Sequence, residues 1–200
     1  MKTVYIITYP VPTNIKKLID FNTSIFLIVV DQAMDYIGDL KKDIHCWIGD
    51  FDSTKTKDFS NELITLPTEK DITDTEAAVL YAKTLNPSKI VILGGIGGKR
   101  FEHALSNMIL LSKYDDLEII TDDSSMKVLG EGIHQIDFKG YVNIFSVESS
   151  RVSLKGFKYP LQNYRMKIND NIGISNELVE RIGFIEVLEG KVLLILTKEQ

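Results

Sequence analysis

The sequence predicts an α/β fold, with an N-terminal doubly wound, mostly parallel sheet domain followed by a small C-terminal antiparallel β-sandwich. In the first part of the 200-residue chain, continuous apolar runs alternate with segments of helix length. Such runs are typical of strands covered on both faces. After Asp122-Asp123-Ser124-Ser125, short β-rich runs follow one another without a long helical pattern. The length leaves room for one large domain or two small ones. The change from alternating strands and helices to consecutive short strands favours two.

Five apolar runs in the first part indicate buried strands: Val4–Ile7, Ile25–Val30, Ile44–Ile48, Ile90–Leu93 and Leu117–Ile120. Three segments between them have helix length and apolar residues at helical spacing: Asn14–Phe21, Thr75–Leu85 and Phe101–Ser112. Alternating strands and helices favour a doubly wound α/β domain. We assign this domain to residues 1–124.

Six β-rich runs follow: Ile133–Phe138, Tyr141–Val147, Val152–Leu154, Tyr164–Ile168, Gly183–Leu188 and Lys191–Thr197. Glu189-Gly190, between the last two runs, fits a hairpin turn. Short strands separated by turn residues are typical of a sandwich, which we assign to residues 125–200, with the boundary near residues 122–130.

Charge and composition exclude several classes of protein. With 23 basic and 28 acidic residues, the net charge is −5, which argues against a nucleic-acid partner. The single cysteine, Cys46, cannot form an intrachain disulfide and implies no oxidising compartment. The apolar run Ile25–Val30 is far too short for a membrane span, and the N-terminal segment does not resemble a signal peptide. We expect a cytoplasmic protein without a membrane anchor.

Two carboxylates follow the third predicted strand, in Gly49-Asp50-Phe51-Asp52-Ser53. Ligands of open α/β sheets bind at the carboxyl ends of strands. Two acids two residues apart in extended chain point the same way, and a shared cation relieves their repulsion. Oxygen ligands of this kind suit Mg²⁺ held together with a phosphate. The alternative is an aspartate-rich turn that caps the next helix.

A second acidic segment, Lys70-Asp71-Ile72-Thr73-Asp74-Thr75-Glu76, opens the second predicted helix. Thr73 and Glu76 match a capping box, which is a structural signature. Asp71 and Asp74 are not needed for that cap, and their i, i+3 spacing predicts that they lie on one side of the first turn. They are candidates to complete a metal site, and a simple helix cap is the alternative.

A glycine-rich segment, Gly94 to His103, joins a strand to a helix. Glycines let backbone N–H groups approach an anion, and the helix terminus adds its dipole. Arg100 stands where a Walker A loop needs Ser or Thr, and the glycine spacing does not match a dinucleotide-binding fingerprint. The cluster of Arg100, Glu102 and His103 favours a ligand site over a tight connection.

The other candidates carry a weaker signal. Gly173-Ile174-Ser175-Asn176-Glu177 has the residue types of an ordinary polar turn. Cys46, His45 and His134 have no catalytic partners in sequence and are interpreted as structural. Trp47 lies in an apolar strand and is expected in the core.

Taken in order, these segments resemble the thiamine pyrophosphokinase (thiamine diphosphokinase) family, bacterial type. The family patterns Gly-Asp-x-Asp-Ser and Lys-Asp-x-Thr-Asp-x-Glu are matched by residues 49–53 and 70–76. Gly-x-x-Gly-x-Arg-x-Asp-His is matched by residues 95–103, except that Glu102 replaces Asp. Lys-Gly-Phe-Lys-Tyr-Pro-Leu and Gly-x-Ser-Asn-Glu are matched by residues 155–161 and 173–177. Each motif is weak alone, but together they cover most of the chain in the family's order.

The resemblance implies transfer of a pyrophosphoryl group from ATP to the thiamine hydroxyl, which yields thiamine diphosphate and AMP. It also implies functional residues. The implied magnesium ligands and catalytic acids are Asp50, Asp52, Asp71 and Asp74. The implied nucleotide-binding residues are Asp31, Thr73, Arg100, Glu102 and His103, and Ser175 and Asn176 are implied to bind thiamine. The family resemblance further implies a homodimer with shared active sites, and leaves open whether Asp71 or a neighbouring acid accepts the hydroxyl proton.

Three other functions compete with this one. Asp50-Phe51-Asp52-Ser53-Thr54 also matches the Asp-x-Asp-x-Thr of haloacid-dehalogenase-like phosphohydrolases, in which Asp50 would be a covalent nucleophile. That pair normally closes the first strand, whereas two predicted strands precede it here. A regulatory module that only binds nucleotide or thiamine has little need for four crowded carboxylates. A dinucleotide-binding domain would require the missing glycine fingerprint.

Overall fold

The computed structural model describes residues 2–52, 54–56 and 59–199. The chain divides into two compact units, the first formed by Met1–Leu110 and Asp116–Asp122, and the second by Leu111–Asp115 and Asp123–Gln200. None of the helices in the described part of the chain has both the length and the apolar character that crossing a membrane requires.

Among the described residues, the first unit contains parallel strands, one complete α-helix and most of a second, whose last three residues belong to the other unit. The strands are β1 (Lys2–Thr8), β2 (Ser24–Val30), β3 (Cys46–Gly49), β4 (Glu62–Thr65), β5 (Lys89–Gly94) and β6 (Leu117–Ile120). The helices are α1 (Asp74–Thr84) and α2 (Phe101–Lys113). The strands lie in the order β4-β3-β2-β1-β5-β6, and each neighbouring pair is parallel. The order reverses between β1 and β5, which confirms the doubly wound topology.

The central strands are buried along most of their length. The last five residues of both β1 and β5 are buried, although neighbouring side chains point to opposite faces of the sheet. Both faces are therefore covered, which explains why these strands appear in the sequence as continuous apolar runs. One core cluster includes Ile7, Leu27 and Leu93 from the sheet with Met34 and Leu40 from the connection after β2.

The predicted helix Asn14–Phe21 is wrong. Only a short 3₁₀ helix, Ile15–Leu18, forms there. The helix does not continue past Asp20, whose carboxylate Oδ1 accepts a hydrogen bond from the backbone N–H of Asn22 at 3.0 Å. This bond forms a local turn, which competes with helical hydrogen bonding. Ile15 and Ile19 still pack in the core. The helical spacing of apolar residues in this segment therefore reflects the burial of a single turn and not a longer helix.

The prediction also missed three features of this unit. β4 pairs with β3, but most of its residues are exposed and have no apolar pattern. The connection from β2 to β3 contains two 3₁₀ helices, Asp31–Tyr36 and Gly38–Asp43. β3 itself begins at Cys46 and extends to Gly49, which brings Asp50 to the end of the strand.

The described strands of the second unit form two antiparallel sets. Its strands are β7 (Ser124–Leu129), β8 (Gly132–Ile136), β9 (Tyr141–Ser146), β10 (Ser150–Lys155), β11 (Leu161–Met166), β12 (Gly183–Glu189) and β13 (Val192–Thr197). β13 pairs with β7 and β9, and β11-β10-β12-β8 form the other sheet. Their buried side chains form one cluster that includes Val142, Val152 and Val192. The predicted antiparallel domain is confirmed, and its first strand, β7, was missed because it starts with polar residues.

We expect Gly94→Ala to destabilise the first unit severely. Gly94 has a φ of +86°, and a Cβ there would lie 2.2 Å from the carbonyl oxygen of Pro10. Backbone at that distance must move, so the free energy of unfolding should fall by at least about 2 kcal/mol in urea denaturation. Gly97→Ala is the matched control, because Gly97 has a φ of +99° but an added Cβ would meet nothing within 4 Å. Equal losses in the two variants would contradict this interpretation.

Candidate active site

A cavity of about 560 Å³ lies at the carboxyl ends of the parallel strands in the first unit. Its wall includes Thr8 at the end of β1, Asp31 after β2 and Asp50 after β3, together with parts of residues 68–75 and 97–103. The strand order reverses between β1 and β5, and doubly wound sheets bind ligands at such a reversal. The sequence segments with candidate chemistry in this unit therefore meet at one place.

Three carboxylates converge in this cavity. One oxygen from each of Asp31, Asp50 and Asp52 lies within 4.8 Å of the other two. The convergence depends on Gly49, where a Cβ would lie only 3.0 Å from the Cα of Asp31. The indole Nε1 of Trp47 donates a hydrogen bond to the backbone oxygen of Asp31 at 3.0 Å, which holds that residue at a φ of +42°.

The two aspartates after β3 come together through a turn. The i, i+2 spacing of Asp50 and Asp52 predicts that they share one side of an extended chain, but Phe51 between them has a φ of +61°. The Asp52 N–H donates to Asp50 Oδ1 at 3.3 Å, and the Phe51 ring packs against Trp47 with 4.6 Å between centroids. Ser53, the last residue of this motif, lies outside the described residues. Asp50 and Asp52 therefore come together, but through a turn and not through the extended chain that their spacing predicts.

The electrostatics of the cluster favour a cation. Burial raises the pKa of the Asp31 carboxyl, and the charges of Asp50, Asp74 and Asp52 raise it further, although a hydrogen bond from the Gln32 backbone opposes them. Asp31 Oδ1 is buried, and no described residue forms a hydrogen bond with it. Hard carboxylate oxygens that lack donors fit Mg²⁺, so the residues present suit the metal that the resemblance implies.

The segment before α1 brings one predicted acid into the cavity and leaves the other outside. Thr73 caps α1, since its Oγ1 accepts a hydrogen bond from the Glu76 N–H at 3.1 Å. Thr73 and Asp74 line the cavity. Asp71 is exposed and is not among the residues that line it. The structure thus joins Asp74 to Asp50 and Asp52, with Asp31 as the fourth nearby carboxylate.

The glycine-rich loop forms another wall. The Gly95 N–H donates to the Pro10 oxygen at 3.1 Å, and Asn107 Nδ2 donates to the Gly95 oxygen at 2.9 Å. Gly97 and Gly98, with φ of +99° and +79°, line the cavity beside Lys99 and Arg100. This loop therefore presents backbone and cations to the cavity, as anion binding requires.

Of the predicted cluster of Arg100, Glu102 and His103, two residues reach the cavity. Arg100 and His103 line it, whereas Glu102 does not. Glu102 Oε1 accepts a hydrogen bond from Arg100 Nε at 3.1 Å. Two hydrogen bonds lower the pKa of Glu102: the larger effect comes from its own backbone N–H, and the next from the Arg100 side chain. Glu102 therefore contacts Arg100 and does not line the cavity.

Asp35 is a residue of the site region that the sequence interpretation missed. Its carboxylate accepts hydrogen bonds from the Lys55 N–H at 2.8 Å, the Thr56 N–H at 3.0 Å and the Thr56 hydroxyl at 2.6 Å. These bonds lower the pKa of Asp35 to about 2, with the largest effect from the Lys55 backbone N–H and the next largest from the Thr56 hydroxyl. Asp35 thereby anchors residues 54–56, which follow Asp52. No local sequence signal predicts this pairing, because the partners are about 20 residues apart.

The predicted thiamine-binding residues, Ser175 and Asn176, lie in the second unit and differ in their exposure to solvent. Asn176 is 3% exposed. Its Oδ1 accepts from the N–H groups of Tyr159 and Glu177, both at 3.0 Å, and its Nδ2 donates to the Tyr159 oxygen at 2.8 Å. It ties residues 155–161 to residues 173–177. Ser175 is exposed, has a φ of +55°, and donates its N–H to Asn143 Oδ1 at 2.8 Å.

The residues interpreted as structural have structural contacts. Trp47 is 3% exposed and lies in the core. His45 Nδ1 accepts a hydrogen bond from the Leu27 N–H at 3.1 Å, and His134 Nε2 lies 2.8 Å from the Gly130 oxygen. Cys46 is a buried free cysteine, and burial raises the pKa of its thiol to about 12.

Comparisons with known proteins point to one family. A family model described as thiamin pyrophosphokinase, catalytic domain, matches residues 18–121, and one described as thiamin pyrophosphokinase, vitamin B1 binding domain, matches residues 132–192. A thiamine pyrophosphokinase of Bacillus subtilis is 30% identical over 162 residues, which cover 74% of this chain and 75% of that protein.

Solved structures agree with these sequence matches. The crystal structure of thiamine pyrophosphokinase from Bacillus subtilis has a TM-score of 0.85 at 25% identity and covers 99% of this chain and 100% of that one. The crystal structure of thiamin pyrophosphokinase from Geobacillus thermodenitrificans, at 24% identity and a TM-score of 0.82, shares the fold over 99% of this chain and 98% of that one.

We expect Asp35→Asn to loosen the segment after Asp52. The folded-state pKa of Asp35, about 2, lies below its ordinary value of 3.8, so its ionised form stabilises the fold above that value. The urea midpoint of the variant should be lower than that of the parent at pH 7, and the difference should shrink as the pH falls from about 4 towards 2. Asp39→Asn, at an exposed carboxylate on the next 3₁₀ helix, is the control. A difference that does not depend on pH would contradict this role.

Proposed function

The chain belongs to the thiamin pyrophosphokinase family, and from that premise we propose that the cavity at the strand ends is its active site. The protein is a thiamine diphosphokinase, which transfers a pyrophosphoryl group from ATP to the hydroxyl of thiamine and releases AMP. The observation that carries the site assignment is the convergence of Asp31, Asp50 and Asp52 within 4.8 Å at the reversal of strand order.

We propose that Asp50 and Asp52, with Asp31, hold Mg²⁺, and that Asp74 lies beside them. The buried Asp31 Oδ1 that lacks a hydrogen-bond donor among the described residues supports this set. Mg²⁺, when bound, neutralises charge on the triphosphate and on the group being transferred. Asp71 was predicted in the same set, but its exposure outside the cavity wall favours Asp31 in its place.

The other walls of the cavity suit the triphosphate. Arg100 is the proposed anion clamp, because a guanidinium binds phosphate oxygens with two parallel hydrogen bonds. Glu102 orients it through Nε, and the cavity also presents Thr73, Gly98 and His103. The thiamine hydroxyl oxygen attacks the β-phosphorus and gives up its proton to a neighbouring carboxylate. The bond from that phosphorus to the oxygen of the α-phosphate then breaks, and AMP leaves with that oxygen.

We propose that the two units divide the substrates, with ATP and Mg²⁺ bound by residues 1–124 and thiamine by residues 125–200. The match of residues 132–192 to a vitamin B1 binding domain supports this division. Within the second unit, exposed Ser175 is the better candidate for direct contact, and Asn176 is the residue that positions it. We also propose a cytoplasmic homodimer with shared active sites, which the exposed apolar side chains of Ile172, Ile174 and Val179 support.

The phosphohydrolase alternative has less support. None of the relatives named above is described as a phosphohydrolase. Asp50 follows the third strand of the sheet, whereas a nucleophilic aspartate of that class normally closes the first. The Lys70 and Arg100 segments, which a phosphohydrolase would not require, line the same cavity as Asp50.

We expect the purified protein with Mg²⁺, ATP and thiamine to produce AMP and thiamine diphosphate in equal amounts. Separation of the products by chromatography measures both. Formation of ADP and thiamine monophosphate would overturn the assignment. Phosphatase activity without thiamine that is abolished by Asp50→Asn and inhibited by beryllium fluoride would favour the phosphohydrolase.

We expect Asp52→Asn and Asp74→Asn each to lower turnover by at least about tenfold. Each variant removes negative charge from the proposed metal site, so the Mg²⁺ concentration that gives half-maximal rate should rise. Steady-state rates over a Mg²⁺ titration measure both effects, and Asp39→Asn serves as the exposed control. Rates that equal those of the parent at saturating Mg²⁺ would remove the residue from the site.

A further inference from the structure

Lys70 places a positive charge among the carboxylates of the cavity. Its Nζ lies 3.1 Å from Asp74 Oδ1 and 3.7 Å from Asp50 Oδ2, and it donates a hydrogen bond to the backbone oxygen of Pro67 at 2.9 Å. The side chain is only 14% exposed. The ammonium group therefore contacts two of the acids that line the proposed metal site.

We infer that Lys70 is an internal counter-ion that competes with the metal and then binds the triphosphate of ATP. This inference rests on the proposed metal site. An ammonium and a divalent cation repel each other, and both are drawn to Asp50 and Asp74. Lys70 consequently weakens metal binding as long as no nucleotide is present.

The nucleotide removes this competition. Phosphate oxygens accept hydrogen bonds from a lysine ammonium, whose flexible four-carbon stem lets it change partners. When the triphosphate binds, the Lys70 ammonium forms hydrogen bonds with phosphate oxygens, and its ion pairs with Asp50 and Asp74 break. Metal and nucleotide therefore bind with positive coupling, and each raises the affinity for the other.

Replacement of the charge tests the inference by metal binding as well as by kinetics. We expect Lys70→Met to bind Mn²⁺ about tenfold more tightly than the parent in the absence of nucleotide, as measured by electron paramagnetic resonance. Its KM for ATP at saturating Mg²⁺ should rise. Lys70→Arg, which keeps the charge, should restore the weak Mn²⁺ binding of the parent.

Three further variants make the result specific. Lys83→Met removes one positive charge from the last turn of α1 and should leave Mn²⁺ affinity within about twofold. Lys70→Gln keeps a donor for the Pro67 oxygen and replaces Lys70→Met if circular dichroism shows that the methionine variant does not fold. Asp50→Asn should weaken Mn²⁺ binding strongly.

The outcomes separate the two proposals. Mn²⁺ affinity that is unchanged or lower in both Lys70→Met and Lys70→Gln, while Asp50→Asn weakens it, overturns the role of Lys70 and leaves the metal site standing. Mn²⁺ affinity that Asp50→Asn does not change overturns both. Tighter binding in the uncharged variants, with parent-like binding in Lys70→Arg, supports both.

Discussion

Repulsion among carboxylates is the constraint on which the proposed active site depends. Asp31, Asp50, Asp52 and Asp74 line one cavity, and their mutual repulsion opposes folding unless other groups hold them in place. The structure does so with backbone and hydrogen bonds. Gly49 allows the close approach, Trp47 holds the Asp31 backbone, and Lys70 supplies the local positive charge. These three features together keep the carboxylates of the cavity close to one another.

The parallel sheet makes such a cluster possible. Neighbouring parallel strands end at the same edge, so the residues after β2 and β3 meet although they are about 20 positions apart in the chain. The reversal of strand order at β1 and β5 brings the glycine-rich loop to the same edge. Cations and backbone therefore face the carboxylates across one cavity, which suits a ligand with several negative charges and a bound divalent cation.

A motif match does not distinguish residues that touch a ligand from residues that position them. Asn176 and Glu102 both belong to matched motifs. In the structure, however, Asn176 uses its amide to tie two loops together, and Glu102 contacts Arg100 instead of lining the cavity. Asp35 belongs to none of the matched motifs and anchors the chain after Asp52. The contacts of a residue, and not its place in a motif, indicate its role.

The amino-acid sequence alone predicts the two fold types, most of the strands and the family. Continuous apolar runs report strands buried on both faces, and the motifs at residues 49–53, 70–76 and 95–103 report the chemistry, because both signals are local in the chain. Four features become visible only in the folded chain: the strand order, the edge strand β4, the short 3₁₀ turn in place of the helix Asn14–Phe21, and the contact of Asp31 with Asp50 and Asp52. These features depend on contacts between distant residues, whose energies no local pattern records.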